Sequence, residues 1–149
     1  MRFIGASGLR TWSRRLGRGG KSELVRIMRR VGITAMMGKY ALLEQDWEEL
    51  GRLMNLNHRL VDRAMRLAGF EEGAGRFNNA VIRYALRRGA LGAKLSGAGG
   101  GGSVIVLVEP GSEERWAEDL TRYMRGLGLA SSRVYKLEIS ERGVVSEAR

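Results

Sequence analysis

The segment Lys94-Leu95-Ser96-Gly97-Ala98-Gly99-Gly100-Gly101-Gly102-Ser103 carries the densest chemical signal in the chain, and five of its residues are glycine. Glycine gives up more backbone freedom on folding than any other residue. A cluster this dense therefore points to positive φ or to close approach of backbone to a ligand. Bare N–H groups in such a loop can cradle phosphate oxygens. Ser96 adds a hydroxyl that can donate to a phosphate or cap the turn. Lys94, just ahead of the loop, can reach a phosphate or face solvent. A flexible hairpin tip is the non-functional reading of the same residues.

Two glycine motifs fail on context. Gly97, Gly99 and Gly102 have G-x-G-x-x-G spacing, but a dinucleotide site needs a helix after the loop. Here the exit is Ser103-Val104-Ile105-Val106-Leu107-Val108, an apolar run that reads as a strand. A phosphate loop of the G-x-x-x-x-G-K-[ST] type needs Lys-Ser/Thr after its last glycine, and Gly102 is followed by Ser103-Val104. What remains is strand, glycine loop, strand.

His58 is the sole histidine, and with Asn55 and Asn57 it makes a helix turn rich in hydrogen-bonding groups. A histidine can move protons near neutral pH, but a lone one on a helix reads first as a packing or interdomain contact. With no cysteine and no second histidine, no metal site is expected. Asp46, Glu48 and Glu49 read as a helix start rather than as catalytic acids. The Arg14-Arg15, Arg29-Arg30 and Arg87-Arg88 pairs read as solvated faces.

These residues need a frame. Residues 21–45 show helical spacing at Leu24, Ile27, Met28, Val31, Ala35 and Leu42, with Ser22 as N-cap. Asp46 caps a second helix, with Glu49 at the capping-box position. Its apolar side is Trp47, Leu50, Leu53, Met54, Leu56, Leu60, Val61, Ala64 and Leu67, and Gly69 ends it. A third helix spans Phe77 to Arg88, with Val81, Ile82, Ala85 and Leu86 inward. Residues 93–96 and 103–108 form an antiparallel pair around the glycine loop. A fourth helix follows from Gly111 to Gly126, capped by Ser112, with Trp116, Leu120, Tyr123, Met124 and Leu127 on its buried side. Residues 132–139 alternate as a half-buried strand. Residues 2–6 read as a short strand, and 7–20 as a loop or linker. The class is α+β, with helices packed on one face of a small antiparallel sheet.

The stretch from Gly89 through Lys94-Leu95-Ser96-Gly97-Ala98-Gly99-Gly100-Gly101-Gly102 resembles the third motif of the GHMP small-molecule kinases, which include galactokinase, homoserine kinase, mevalonate kinase and phosphomevalonate kinase. Asp46-Trp47-Glu48-Glu49-Leu50-Gly51-Arg52-Leu53-Met54-Asn55-Leu56-Asn57-His58 is similar to the helix that precedes this loop in the family. The resemblance covers about Ser22 to Val145. It implies a ferredoxin-like C-terminal domain over 21–149, with 1–20 as a strand and linker from a preceding domain. It also implies ATP and Mg²⁺ as cofactors, and a sugar or mevalonate-like hydroxyl as phosphate acceptor. In the family, the glycine loop lies beside the nucleotide and the substrate. That makes Ser96, Gly97, Ala98, Gly99, Gly100, Gly101 and Gly102 the candidate site, with Lys94, Asn57 and His58 as further candidates.

The family's two other motifs are missing. One is a proline-containing substrate segment and the other a P-x-x-x-G-L-x-S-S-A phosphate loop. The sole proline is Pro110, in neither context. The catalytic Asp and Lys common in the family belong to that other half. The expectation is a C-terminal kinase half that is inactive alone and works with an N-terminal half, covalent or separate. No catalytic residue is therefore assigned to this chain. The alternative is a non-catalytic module of the same fold that binds a metabolite or nucleotide, or pairs with a second copy of itself.

Composition agrees with a single core: 149 residues, 44% hydrophobic and 28% charged, are globular values. No run of 18 apolar residues exists, so no membrane-spanning helix is expected, and a cytoplasmic location fits. The net charge of +10 can steer anions such as ATP. It can also balance an acidic partner domain. Nucleic acid is disfavoured, because no aromatic-rich strand supplies a stacking platform.

Overall fold

The computed structural model of the protein describes residues 18–97 and 102–137. Within them the order is α1 (Arg18–Leu43), α2 (Trp47–Leu67), α3 (Arg76–Arg87), β1 (Gly92–Ser96), β2 (Ser103–Leu107) and α4 (Glu113–Gly126). The α+β class is the one expected. The expected strand at 2–6 and the linker after it lie outside the described residues, except at its end. There, 18–20 are helical, so α1 starts ahead of Ser22 and that residue is no cap.

The chain divides into two compact units, 1–109 and 110–149. In the first, α1 and α2 form an antiparallel hairpin joined at Gln45 and Asp46. Asp46 caps α2 as expected, its carboxylate accepting from the Glu49 N–H at 2.9 Å. The reciprocal half of the capping box does not form. The Glu49 carboxylate is held by Arg52 at 2.5 Å instead, and the Asp46 N–H donates to the Ala41 carbonyl at 2.9 Å. Leu24 and Ile27 of α1 meet Leu60 and Ala64 of α2, with Val31, Leu56 and Leu67 around them. Burial of each large aliphatic side chain contributes about 1.5–3 kcal/mol. Met28 and Leu42, expected to share this face, are 45% and 40% exposed. α1 is apolar on two sides, and spacing alone does not choose between them.

At the far end of α2, Gly69 takes φ +92°. The Phe70 N–H reaches the Met65 carbonyl and the Gly69 N–H the Arg66 carbonyl, each at 3.0 Å. These two bonds close the helix in a Schellman motif. The chain then turns into α3, whose Val81, Ile82 and Ala85 are buried as expected.

β1 and β2 pair antiparallel, Ala93 opposite Val106, Leu95 opposite Val104, and Ser96 opposite Ser103. Side chains alternate across a strand. Ala93 and Leu95, 0% and 4% exposed, face the helices, while Lys94 and Ile105 share the other face. Leu95 packs with Met65 and Ala74, and Val61 and Phe70 close around them. α2 and α3 both contact β1, and α3 contacts β2.

In the second unit, α4 buries Leu120 and partly buries Trp116, Tyr123, Met124 and Leu127, the side expected. The strand expected over 132–139 is not formed at 132–137, which are irregular, and 138–139 lie outside the described residues. Tyr135 and Leu137 are 71% and 76% exposed. An extended segment becomes a strand only when a ladder takes up its N–H and C=O groups, and none does so within this unit among the described residues.

Candidate functional site

The glycine loop hangs between the paired ends of β1 and β2. Ser96 and Ser103 face each other in the last rung of the ladder, which brings the two ends of the loop together. Gly97 takes φ +84° and is exposed, so its backbone direction does require glycine. Gly102 is exposed as well, and Ser96 is half-buried. Ala98, Gly99, Gly100 and Gly101 lie outside the described residues. Lys94 is half-buried, and its ammonium donates to the Leu95 carbonyl at 2.8 Å.

The strand that enters the loop is clamped from behind by α2. Gly51 of α2 lies directly against Leu91 and Gly92. A Cβ on Gly51 would sit 2.3 Å from the Leu91 carbonyl oxygen, and one on Gly92 would sit 2.6 Å from the Gly51 Cα. One helical turn on, Asn55 grips the same backbone. Its Oδ1 accepts from the Ala93 N–H at 2.8 Å and its Nδ2 donates to the Leu91 carbonyl at 3.4 Å. Asn55 thus serves the outer edge of β1 as a neighbouring strand would, satisfying groups that would otherwise be buried unpaired. Two bare glycines let the helix come close enough for that short side chain to reach.

Asn57 and His58 follow on the same helix but point elsewhere. Asn57 Nδ2 donates to the Thr34 hydroxyl at 2.9 Å, tying α2 to α1. His58 is 8% exposed and lies 3.0 Å through Nε2 from Asn79 Oδ1 on α3. The Asn79 amide N–H groups are already committed, to Asp62 Oδ1 at 2.8 Å and to the Glu72 carbonyl at 3.3 Å. Its oxygen therefore accepts, and the His58 proton sits on Nε2. His58 Nδ1 is buried with no partner among the described residues. Burial pushes the His58 pKa below the usual value and outweighs the opposing pull of Asp62 and Asn79, and the Lys94 charge acts in the same direction as burial.

Asp62 is the hub of this network. Oδ1 also accepts from the Ala74 N–H at 2.8 Å, and Oδ2 from Arg66 Nε at 3.0 Å. Burial alone would raise the Asp62 pKa, but these donors together hold it below the usual carboxylate range. The network locks the α2–α3 turn and so the second helix that supports the sheet. Among the described residues no group of three or more His, Asp or Glu side chains could hold a metal ion. No helix among them is long and apolar enough to cross a membrane. A shallow depression of about 230 Å³ is lined by Arg66, Glu72, Arg76, Asn79 and Arg83, with no described residue of the glycine loop among them.

The sequence singled out the loop correctly as a strand–strand connection, and the structure brings Ser96, Gly97 and Gly102 together at its base. It sends Asn57 and His58 into helix interfaces. Gly51 and Gly92 were missed as a contact pair, and so was the clamp of Asn55 on β1. The signal was present in the spacing Gly51-x-x-x-Asn55, which puts both residues on one helix face.

The family model described as GHMP kinases C terminal matches residues 39–126. The chain belongs to the GHMP kinases. That match runs from the end of α1 through the clamp, the glycine loop and α4. Among individual proteins, the mevalonate kinase of Aeropyrum pernix is 33% identical over 118 residues, covering 78% of this chain and 32% of the relative. The galactokinase of Thermococcus kodakarensis is 43% identical over 74 residues, covering 50% of this chain and 19% of the relative. The mevalonate kinase of Pyrococcus furiosus is 43% identical over 65 residues, covering 43% of this chain and 17% of the relative. The chain thus spans about a third or less of the length of these GHMP kinases.

Proposed function

We propose that the chain is the C-terminal lobe of an ATP-dependent kinase that phosphorylates a hydroxyl of a mevalonate-like or sugar substrate. The observation that carries this reading is the glycine loop that follows the clamped strand β1, within the matched family region, whose first residue takes a backbone conformation that favours glycine. The acceptor oxygen forms a bond to the γ-phosphorus while the bond from that phosphorus to the bridging oxygen of ADP breaks. The hydroxyl proton leaves to a base outside this chain. Phosphoryl transfer depends mainly on positioning and charge stabilisation. The loop suits that role: Gly97 and Gly99 through Gly102 carry no side chain to obstruct their backbone N–H groups, and the Ser96 hydroxyl adds a donor.

Mg²⁺ arrives with ATP, and most of its protein ligands are expected in the lobe that carries the phosphate loop. That lobe is the partner required for turnover. A mevalonate-like acceptor is favoured over a sugar by the length of the Aeropyrum match. The test is reconstitution: the 149-residue chain is mixed with the N-terminal lobe of an archaeal mevalonate kinase, and ADP release is followed with mevalonate, galactose and homoserine. Hydroxyl-dependent ADP release that needs both lobes supports the reading. A chain that binds ATP tightly but never turns over with any lobe or acceptor supports the non-catalytic alternative instead.

A further inference from the structure

Three arginines from two helices converge on a single hollow. The depression of about 230 Å³ beside the α2–α3 turn is lined by Arg66, Glu72, Arg76, Asn79 and Arg83. Arg76, Asn79 and Arg83 are spaced to share one face of α3. Asn79 is buried, while the three arginines are exposed around it. The lining thus sets three guanidinium groups against the single carboxylate of Glu72. That carboxylate is turned to the start of α3, where its Oε2 accepts from the Arg76 backbone N–H at 3.3 Å.

Arg66 is already held in place. Its Nε donates to Asp62 Oδ2 at 3.0 Å, and Nη1 and Nη2 donate to the Glu71 and Glu72 carbonyls at 2.6 and 3.5 Å. A guanidinium carries about five N–H donors, so the Arg66 fork keeps donors to spare after these bonds. Arg76 and Arg83 form no ion pair with a carboxylate among the described residues. The Arg76 guanidinium lies over the Phe77 ring, 5.8 Å from its centre, a contact that supplies no oxygen acceptor. Guanidinium groups gathered with so few acceptors repel one another, and a bound anion relieves that repulsion.

The arginine fork matches phosphate oxygens two at a time. A pocket for a whole small molecule has about 300–1,000 Å³, so this smaller hollow suits a charged group rather than an entire metabolite. We propose that Arg66, Arg76 and Arg83 form a binding site for a phosphate group, carried by free diphosphate or by a phosphate ester, separate from the glycine loop. An anion seated there joins α3 to the α2–α3 turn through Arg66, which also holds Asp62. This inference is independent of the kinase reading.

Titration of the 149-residue chain with sodium diphosphate and, separately, with glycerol phosphate tests this, by calorimetry and amide ¹⁵N–¹H shifts at about 50 mM salt. One site with a Kd on the order of 0.1–1 mM is expected for at least one of the two, with the shifts centred on residues 72–83. Tighter binding of diphosphate assigns the site to the free anion, and equal or tighter binding of glycerol phosphate assigns it to an ester. Arg76→Gln and Arg83→Gln should each raise that Kd about tenfold. Their circular dichroism should be unchanged, because neither guanidinium holds a carboxylate within the described residues. Glu72→Gln should do the reverse and lower the Kd about threefold, since it removes the opposing charge. Arg29→Gln takes the same charge from an exposed position on α1, outside the hollow, and should leave the Kd within about twofold. Absence of binding at about 10 mM of either probe would overturn the proposal. So would an equal loss in Arg29→Gln and Arg83→Gln, which would mean diffuse attraction to a basic chain. Weaker or unchanged binding in Glu72→Gln would overturn it as well, as would shifts confined to Ser96 through Ser103, which would put the anion in the glycine loop.

Discussion

Replacing Gly51 by alanine should loosen the whole support of the glycine loop, although alanine is the better helix former. The added Cβ would lie 2.3 Å from the Leu91 carbonyl oxygen, 2.6 Å from its carbonyl carbon and 3.1 Å from the Gly92 nitrogen. All three are backbone atoms of the segment entering β1, so no side chain can swing aside. A normal contact needs about 3.5 Å, so helix and strand must separate by roughly 1 Å. The Asn55 bonds at 2.8 and 3.4 Å do not survive that separation. Overpacking costs about 1–3 kcal/mol, and the buried Ala93 N–H left without its acceptor costs about 1–3 kcal/mol more. Helix propensity returns about 1 kcal/mol. The net expectation is a loss of about 3 kcal/mol, which at a typical slope for urea lowers the unfolding midpoint by about 1–2 M. Hydrogen exchange of the Ala93 amide should accelerate in parallel. Gly92→Ala attacks the same contact from the other side, so the double variant should lose much less than the sum of the two. A Gly51→Ala protein with a midpoint equal to or above that of the parent would refute the close-approach argument.

Other outcomes follow from the same contacts. Asn55→Ala should cost about 1–3 kcal/mol, because the Ala93 N–H loses its acceptor, and Asn55→Asp should recover part of this by keeping Oδ1. Gly97→Ala should cost about 1–2 kcal/mol from the left-handed backbone alone, and in the reconstituted kinase it should lower kcat more than it raises the KM for the acceptor. Stability should fall as the medium is acidified, in two stages visible in urea midpoints between pH 8 and 3. The His58 pKa is depressed in the folded protein, so its contribution is complete above the unfolded value of about 6.5 and declines below it, as the unfolded chain takes up the proton first. Asp62 is likewise depressed, so its contribution is present above the unfolded carboxylate pKa of about 4 and lost as pH falls further. Asp62→Asn should flatten the second stage and deepen the first, because it removes the carboxylate charge that opposes the depression of the His58 pKa.

Much of this architecture was legible from local chemistry. The Asp46 cap, the Gly69 stop and the two strands around the glycine loop are set by residues close in sequence, and each appears where spacing put it. The site's support was harder to read, because Asn55 acts on backbone 36 and 38 residues away: the Gly51-x-x-x-Asn55 spacing puts both residues on one helix face but does not say which segment that face meets. Glu49 read as half of a capping box, but Arg52 one turn on offered a charged partner. The α1 face was ambiguous for a physical reason: Leu24 and Ile27 are buried while Val25 and Met28 are not, and the apolar residues alternate between the two sides. The strand expected over 132–139 is not formed at 132–137, because alternation describes only a face, while a strand also needs a ladder to join.

The glycine loop as nucleotide and acceptor contact is the claim on which the kinase reading stands. The most direct measurement is an amide ¹⁵N–¹H spectrum of the labelled chain in the reconstituted two-lobe complex, recorded before and after addition of Mg·ATP and then of mevalonate. The expected result is that the largest shifts fall on the amides of Ser96 through Ser103, and that Gly97→Ala attenuates them. Shifts confined to the Arg66, Arg76 and Arg83 depression, with the loop amides unmoved, would contradict it.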